Sequence, residues 1–194
     1  MIIYIRDKIE YISLVELVEK ARFSYLPLKL ASKYGMLRLI DSRITFELIR
    51  RNFVVPKKNT VAQHHEEIRT LENIIEMDKA GMIISPQIGL RENVAVLDFN
   101  DEYANIITRY NISYENFSND SRIDERSAIL PSIVKELVIK RMHLKQFLKT
   151  QQSDSFIYSI CEARLGILKQ ILVCLYGTSG SIWNRYSNVK SLKR

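Results

Sequence analysis

Long apolar runs, cysteines and glycine-rich loops are all scarce in this chain of 194 residues. No run of eighteen apolar residues is free of charges and no signal peptide opens the chain, so we expect no membrane association. The two cysteines, Cys161 and Cys174, lie in apolar helical sequence, which is typical of packed thiols in a reducing compartment. The cytoplasm is the expected location.

Several kinds of catalytic site lack the residues that they need. The sequence has no glycine-rich phosphate loop, and "GTSG" at 177–180 indicates the end of a helix. In "HHEE" (64–67) the histidines are adjacent rather than four residues apart as in a zinc helix, which favours a solvated helix start. Neither cysteine has a histidine partner in sequence, which argues against a cysteine nucleophile.

Positive charge and apolar residues are abundant. A net charge of +7 and a pI near 9.4 indicate an anionic partner such as nucleic acid. An apolar content of 46% is enough to bury a core in one large or two small domains.

Helical spacing dominates both ends of the chain. Residues 9–53 are predicted to be helical, with Asp41-Ser42 as an N-cap. Further helices are predicted at roughly 130–149 and 155–176, and the short polar link "TQQSD" between them predicts an antiparallel helical hairpin. The middle of the chain reads as a charged helix at 66–81, two β-type runs at 82–88 and 93–99 that meet near Gly89, and a polar loop at 117–128.

Two features of this pattern carry chemistry. Asp98, Asp101 and Glu102 follow the apolar run "AVL", and a strand that ends in a carboxylate serves either a helix cap or a metal site. In the first hairpin helix an apolar stripe turns basic at Arg141 and Lys145, and Lys169 interrupts the apolar second helix. Three such cations either clamp a polyphosphate or are ordinary solvated charges.

Several ordered motifs resemble the central part of family B DNA polymerases of the archaeal type, over nearly the whole chain. "DFNDEYANII" is similar to motif A of that family, "ILPSIVKELVIKRMHLK" to its first fingers helix and "LKQILVCLYGTSG" to its motif B. "LIRRNFVVPKKN" and "YNISYE" also fit their places in the family's order.

The resemblance implies a template-directed polymerase that adds deoxynucleotides to a primer by phosphoryl transfer with two Mg²⁺ ions. Asp98 matches the first metal-binding carboxylate, and Tyr103 matches the residue beneath the incoming sugar that rejects a 2′-hydroxyl. Arg141, Lys145 and Lys169 match the triphosphate-binding cations. Finally, Tyr176 and Gly177 match the residues that pack against the nascent base pair.

The chain also departs from the family. Motif A usually carries Ser-Leu-Tyr-Pro-Ser where this chain has residues 101–105, and Val173 replaces the usual asparagine of motif B. Asp101 and Glu102 fall on variable positions of motif A and are not expected to bind metal. The second metal motif, Asp-Thr-Asp-Ser, is not present, and residues 178–194 contain no acid. Asp7 fits the last exonuclease carboxylate imperfectly, so a structural role is expected.

The expected fold is α+β: a mostly helical palm-and-fingers fragment with a small antiparallel sheet that carries Asp98 and a long antiparallel helical hairpin. The expected divisions are a helical lead into the palm (1–55), a partial palm with motif A (56–128), the fingers hairpin with motif B (129–178) and the start of a return to the palm (179–194). The expected partners are primer–template DNA, deoxynucleoside triphosphates, and a complementary polymerase chain with the second metal motif and the thumb. The chain alone is not expected to extend primers.

Two alternatives stay open. One is a polymerase-derived, catalytically inactive DNA-binding or scaffold protein. The other is an unrelated basic helical protein that binds nucleic acid, which the ordered motifs disfavour.

Overall fold

A computed structural model of the chain describes residues 2–57, 85, 88–99, 101–117, 128–179 and 184–186, with the backbone alone at 2–12, 116–117 and 179. Helices account for most of this part. They are α1 (Ile2–Ser24), α2 (Leu28–Ala31), α3 (Met36–Arg50), α4 (Glu102–Arg109), a 3₁₀ turn (Tyr114–Phe117), α5 (Ile129–Leu148) and α6 (Phe156–Ser179). No helix among the described residues is long and apolar enough to cross a membrane.

The core lies where α3, α5 and α6 meet, and α4 closes one side of it. Each helix contributes a stripe of buried aliphatic side chains three or four residues apart, because that spacing places them on one face. A fully buried Leu or Ile stabilises the fold by about 1.5–3 kcal/mol relative to an exposed one. The stripes comprise Leu39, Ile40, Ile44 and Leu48 of α3, Ile133, Val134 and Leu137 of α5, and Ile167, Leu168, Ile171 and Leu175 of α6.

Two ion pairs fix the relative positions of the helices. Arg164 Nε of α6 donates to Glu19 Oε1 of α1 at 2.6 Å. Arg43 Nη2 of α3 donates to Glu136 Oε2 of α5 at 2.6 Å, and its guanidinium lies over the ring of Tyr25. Glu19 and Arg43 are buried, and each also pairs with a residue of its own helix, Glu19 with Arg22 at 3.4 Å and Arg43 with Glu47 at 3.2 Å.

The first turn of α5 is capped by side chains that come from before the helix. Ala128 occupies the N-cap position and has no side chain that accepts a hydrogen bond. Instead, Glu115 Oε1 accepts from the Ile129 N–H at 2.5 Å and Ser113 Oγ accepts from the Leu130 N–H at 3.1 Å. Ser113 Oγ also donates to Glu115 Oε2 at 2.5 Å. This buried network satisfies amides that the helix itself leaves unpaired.

The helical predictions at both ends of the chain are confirmed. Helix α5 and helix α6 begin and end within three residues of the predicted bounds and pack against each other after a short connection. The predicted N-cap at Asp41-Ser42 is wrong, because α3 begins at Met36 with Gly35 as its N-cap. Ser42 lies inside that helix, where its Oγ donates to the Ser24 carbonyl at 3.0 Å. Ser42 therefore bonds to the last residue of α1 instead of capping its own helix.

The predicted small antiparallel sheet is wrong for the part of the chain that the structure describes, which contains no strand. Residues 93–99 form coil, and Val94, Val96 and Leu97 are 67–95% exposed. A strand requires a partner for its backbone hydrogen bonds, so an apolar run alone does not make one. Only Ser85 and Ile88 of the run at 82–88 are described, and both lie in coil.

Other predictions lie outside the described residues. They concern the charged helix at 66–81, the histidines of "HHEE", the side chain of Asp7 and residues 118–127 of the polar loop.

Candidate nucleotide site

Helix α4 brings the motif A residues onto the helical hairpin. Its buried side chains, Ala104 and Ile107, lie one turn apart and face the core, so α4 packs against both α5 and α6. Tyr103 is the second residue of α4, and Asp101 directly precedes the helix. The N-terminal end of α4 therefore lies beside the hairpin.

Two of the predicted site residues are in direct contact. The rings of Tyr103 and Tyr176 stack with their centroids 4.2 Å apart and their planes 18° from parallel. This is a close stacked geometry between one residue of α4 and one of α6. Motif A and motif B, distant in sequence, thus meet at one aromatic pair.

A second contact joins Arg141 of α5 to Asp101. Arg141 Nη1 donates to Asp101 Oδ1. The Arg141 side chain is 8% exposed and the Asp101 side chain is 25% exposed. The aspartate compensates a buried cation, which would otherwise be strongly unfavourable in the interior.

The remaining predicted residues of the hairpin are exposed. Lys145 lies on α5 one turn beyond Arg141, and Lys169 lies on α6 two turns before Tyr176. Gly177 is also exposed, and a Cβ atom added there would meet none of the described residues outside its own stretch of helix within 4 Å. The apolar sequence of α6 suggested a buried position for Lys169, but the residue lies on an exposed side of the helix. Val173, one turn further along that side, is 55% exposed.

A largely apolar cavity of about 180 Å³ lies behind the tyrosine stack. Tyr103 and Tyr176 form part of its wall, and Ile107, Tyr114 and Tyr186 are among its other lining residues. Within the described part of the chain the Tyr114 hydroxyl is buried and makes no hydrogen bond. Burial, and then the nearby charge of Glu115, raises the pKa of that hydroxyl well above its ordinary value. The lining of the cavity therefore suits apolar or aromatic groups. The charged part of the candidate nucleotide site is Arg141.

Asp98 lies in exposed coil, in a segment without a strand. No group of three or more His, Cys, Asp or Glu side chains suited to a metal occurs among the described residues. Mg²⁺ requires several oxygen ligands in near-octahedral geometry. The described residues therefore do not form a complete site for two Mg²⁺ ions.

Sequence reasoning misses the roles of three polar residues. Asp101 falls on a variable position of motif A, yet it is the partner of Arg141. The sequence does carry a sign of this role, because position 101 has an acid where motif A of the family usually has serine. Ser113 and Glu115 belong to "YNISYE", and no local spacing predicts that they cap a helix more than ten residues later.

Comparison with known proteins identifies the family. The sequence model described as "DNA polymerase family B" matches residues 26–127, just over half of the chain. The chain belongs to DNA polymerase family B. The resemblance drawn from the motifs is thereby confirmed.

Relatives in this family come from archaea and eukaryotes. DNA polymerase 2 of Saccharolobus solfataricus is 27% identical over 186 residues, which cover 92% of this chain and 27% of the relative. The catalytic subunit of DNA polymerase alpha from Xenopus laevis is 25% identical over 164 residues, 70% of this chain and 11% of the relative. This family B chain thus spans about a quarter or less of their length.

The fold agrees with this assignment. The solved structure of the family B DNA polymerase from the hyperthermophilic archaeon Pyrobaculum calidifontis superposes with a TM-score of 0.63 at 23% identity. The match covers 92% of this chain and 25% of that polymerase. At this identity the likeness establishes the fold of the family B chain.

Proposed function

We propose that this chain is the palm-and-fingers portion of a family B DNA polymerase and binds a deoxynucleoside triphosphate between α4 and the α5–α6 hairpin. The observation that carries the proposal is the stack of Tyr103 on Tyr176. It joins the two motifs that would recognise the sugar and the base pair. The nearby Arg141 adds a cation for the phosphates.

Each aromatic residue has a separate proposed role. Tyr103 would lie beneath the incoming sugar, where a rigid ring leaves no room for a 2′-hydroxyl. Tyr176 and the exposed Gly177 would pack against the nascent base pair. The open space around a Cβ atom built at Gly177, as far as the described residues go, supports this, because a base pair needs room above the helix.

Three cations would bind the triphosphate. Arg141 and Lys145 are four residues apart and therefore project from one side of α5. Lys169 is seven residues before Tyr176, so it lies on the same side of α6, about 10 Å along the axis. Arg141 would provide a planar fork for phosphate oxygens and the two lysines would provide point charges.

Primer extension would need a complementary chain. Asp98 would provide one carboxylate for the two Mg²⁺ ions that activate the primer 3′-hydroxyl and the triphosphate. The second metal motif and the thumb that holds primer–template DNA would come from the other chain. In this proposal residues 1–55 lead into the palm, 56–128 form part of it, 129–178 form the fingers and 179–194 return to the palm.

A chimera tests this proposal. The chain is transplanted in place of the matched quarter of the Saccharolobus solfataricus relative, and Mg²⁺-dependent primer extension is measured. We expect extension by the chimera, loss of extension after Asp98→Asn, and retention after Glu92→Gln, which changes another exposed acid of the same coil. The isolated chain should not extend primers. A folded chimera that binds DNA but never extends it would contradict the proposal, as would robust extension by the chain alone.

The second candidate is an inactive DNA-binding or scaffold protein derived from a polymerase. The contact of Asp101 with Arg141 favours it, because an acid then stands beside the proposed phosphate site. Val173 favours it too, since a polar contact of motif B is replaced by an aliphatic side chain. This candidate predicts DNA binding without deoxynucleotide binding, even in the chimera.

A further inference from the structure

The ion pair between Asp101 and Arg141 neutralises the buried member of the proposed phosphate-binding cations. Arg141 is buried, whereas Lys145 and Lys169 are exposed to solvent. The Arg141 Nε is buried and makes no hydrogen bond within the described part of the chain, so its fork is only partly satisfied. The buried Nε is not accessible to a second anion, but the contact with Asp101 uses Nη1, so the other N–H donors of the two Nη atoms remain for a phosphate.

The backbone at Asp101 is held in an unusual conformation. Its φ is 50° and its ψ is 41°, the left-handed region that few residues other than glycine adopt. An aspartate at an N-cap normally accepts a hydrogen bond from the first turn of the helix. Asp101 makes no such bond, and its carboxylate contacts Arg141 instead. A residue other than glycine in the left-handed region, with its side chain bonded to another helix, is a feature that clusters at functional sites.

We propose that Asp101 is an intramolecular competitor for the triphosphate site, an acid of the chain that binds Arg141 whenever no phosphate does. This inference rests on the proposed nucleotide site and adds its regulation. A triphosphate must displace the carboxylate or share the guanidinium with it, and two anions at one cation repel each other. The stack of Tyr103, two residues later, on Tyr176 lies at the same end of α4. The Asp101 carboxylate thus occupies the proposed phosphate site until a strongly anionic ligand displaces it.

The test compares two substitutions, each of which removes one negative charge. Asp101→Asn keeps the size of the side chain and its tolerance of the left-handed region, and it removes the competing charge. Glu102→Gln removes an exposed charge one residue away. Binding of inorganic tripolyphosphate and of dATP to the full 194-residue chain is measured by calorimetry at low salt. We expect Asp101→Asn to tighten both by about tenfold, the size of one charge-assisted hydrogen bond, and Glu102→Gln to change them less than about twofold.

A double variant locates the effect. Arg141→Gln in the Asp101→Asn background should abolish the gain, because the released guanidinium is its source. An equal gain in Asp101→Asn and Glu102→Gln would overturn the inference, since it would indicate general charge repulsion. Unchanged dATP binding in Asp101→Asn, with the wild type already binding, would overturn it as well but would leave the proposed nucleotide site intact.

The wild-type chain gives an independent readout that does not depend on the variants folding. The side-chain ¹⁵Nε signal of Arg141 is followed by NMR as tripolyphosphate is added. We expect little shift at concentrations that already perturb Lys145 and Lys169, because the carboxylate still holds the guanidinium. An Arg141 shift that saturates together with the lysine signals would overturn the inference. If dATP and tripolyphosphate perturb none of the three cations, and the chimera also fails to extend primers, the proposed function itself fails.

Discussion

Tyr103 and Tyr176 stack ring on ring, at a centroid distance of 4.2 Å, although one belongs to a short helix in the middle of the chain and the other to its last long helix. The contact ties α4 to α6, while Asp101 ties the start of α4 to α5. One aromatic contact and one ionic contact of the proposed site therefore act on the same short helix. Both are open to direct measurement.

The tyrosine stack should be energetically coupled. In a double-mutant cycle of Tyr103→Ala and Tyr176→Ala, we expect a coupling of about 0.5–1.5 kcal/mol in the free energy of unfolding, the usual size for an aromatic pair. Urea unfolding of the four proteins measures it. The control cycle pairs Tyr103→Ala with Tyr158→Ala, which lies about 27 Å from Tyr176 along α6. There the effects should add to within about 0.5 kcal/mol. Equal coupling in the two cycles would contradict the prediction.

Ser113 should be essential for the start of α5. Ser113→Ala leaves the buried Leu130 N–H and Glu115 Oε2 without this partner, so we expect a loss of about 1–3 kcal/mol in the free energy of unfolding. The control is Ser159→Ala, whose exposed hydroxyl only donates to the carbonyl three residues before it. That change should cost less than about 0.5 kcal/mol. If the two variants were equally stable, the capping role would be refuted.

Stability should fall with acid at Glu136. Burial alone raises the pKa of this carboxyl, but the hydrogen bond from Lys140 and the charge of Arg43 outweigh it and hold the pKa below its usual range. Because the pKa of Glu136 is lowered in the folded state, its ionised carboxylate stabilises the fold at pH values above the ordinary glutamate pKa of about 4.3. This contribution is lost as the pH falls through the pKa that Glu136 has in the folded protein.

Glu136→Gln should therefore be less stable than the wild type at neutral pH, and the difference should shrink as the pH falls below about 4. Thermal unfolding across this range measures the effect. Glu162→Gln, an exposed acid on α6, is the control and should leave the wild-type pH profile unchanged. A constant difference between Glu136→Gln and the wild type at all pH values would refute the linkage.

Binding to primer–template DNA should be weak and strongly dependent on salt. The net charge of +7 favours contacts from lysine and arginine to phosphates, and each neutralised phosphate on duplex DNA contributes about −0.9 to the slope of log K against log salt. Fluorescence anisotropy at several salt concentrations gives this slope for the 194-residue chain. An affinity that stays constant between low and moderate salt would show that no phosphate-tracking surface exists.

The long helices of the hairpin and the family follow from the amino-acid sequence alone. The spacing of aliphatic residues in α5 and α6 places them on one face whatever the rest of the chain does, which is why the bounds of these two helices were predictable within three residues. The order of motifs around Asp98, Tyr103 and Tyr176 pointed to family B, and the match over residues 26–127 agrees.

Tertiary structure decided the partners and the fate of the apolar run at 93–99. A strand depends on a neighbour distant in sequence, and no periodicity supplies one, so that run is coil in the described structure. The stack of Tyr103 on Tyr176 and the capping of α5 by Ser113 depend on how α4 packs onto the hairpin. The same holds for Asp101, because a buried guanidinium accepts whichever carboxylate the packing brings to it.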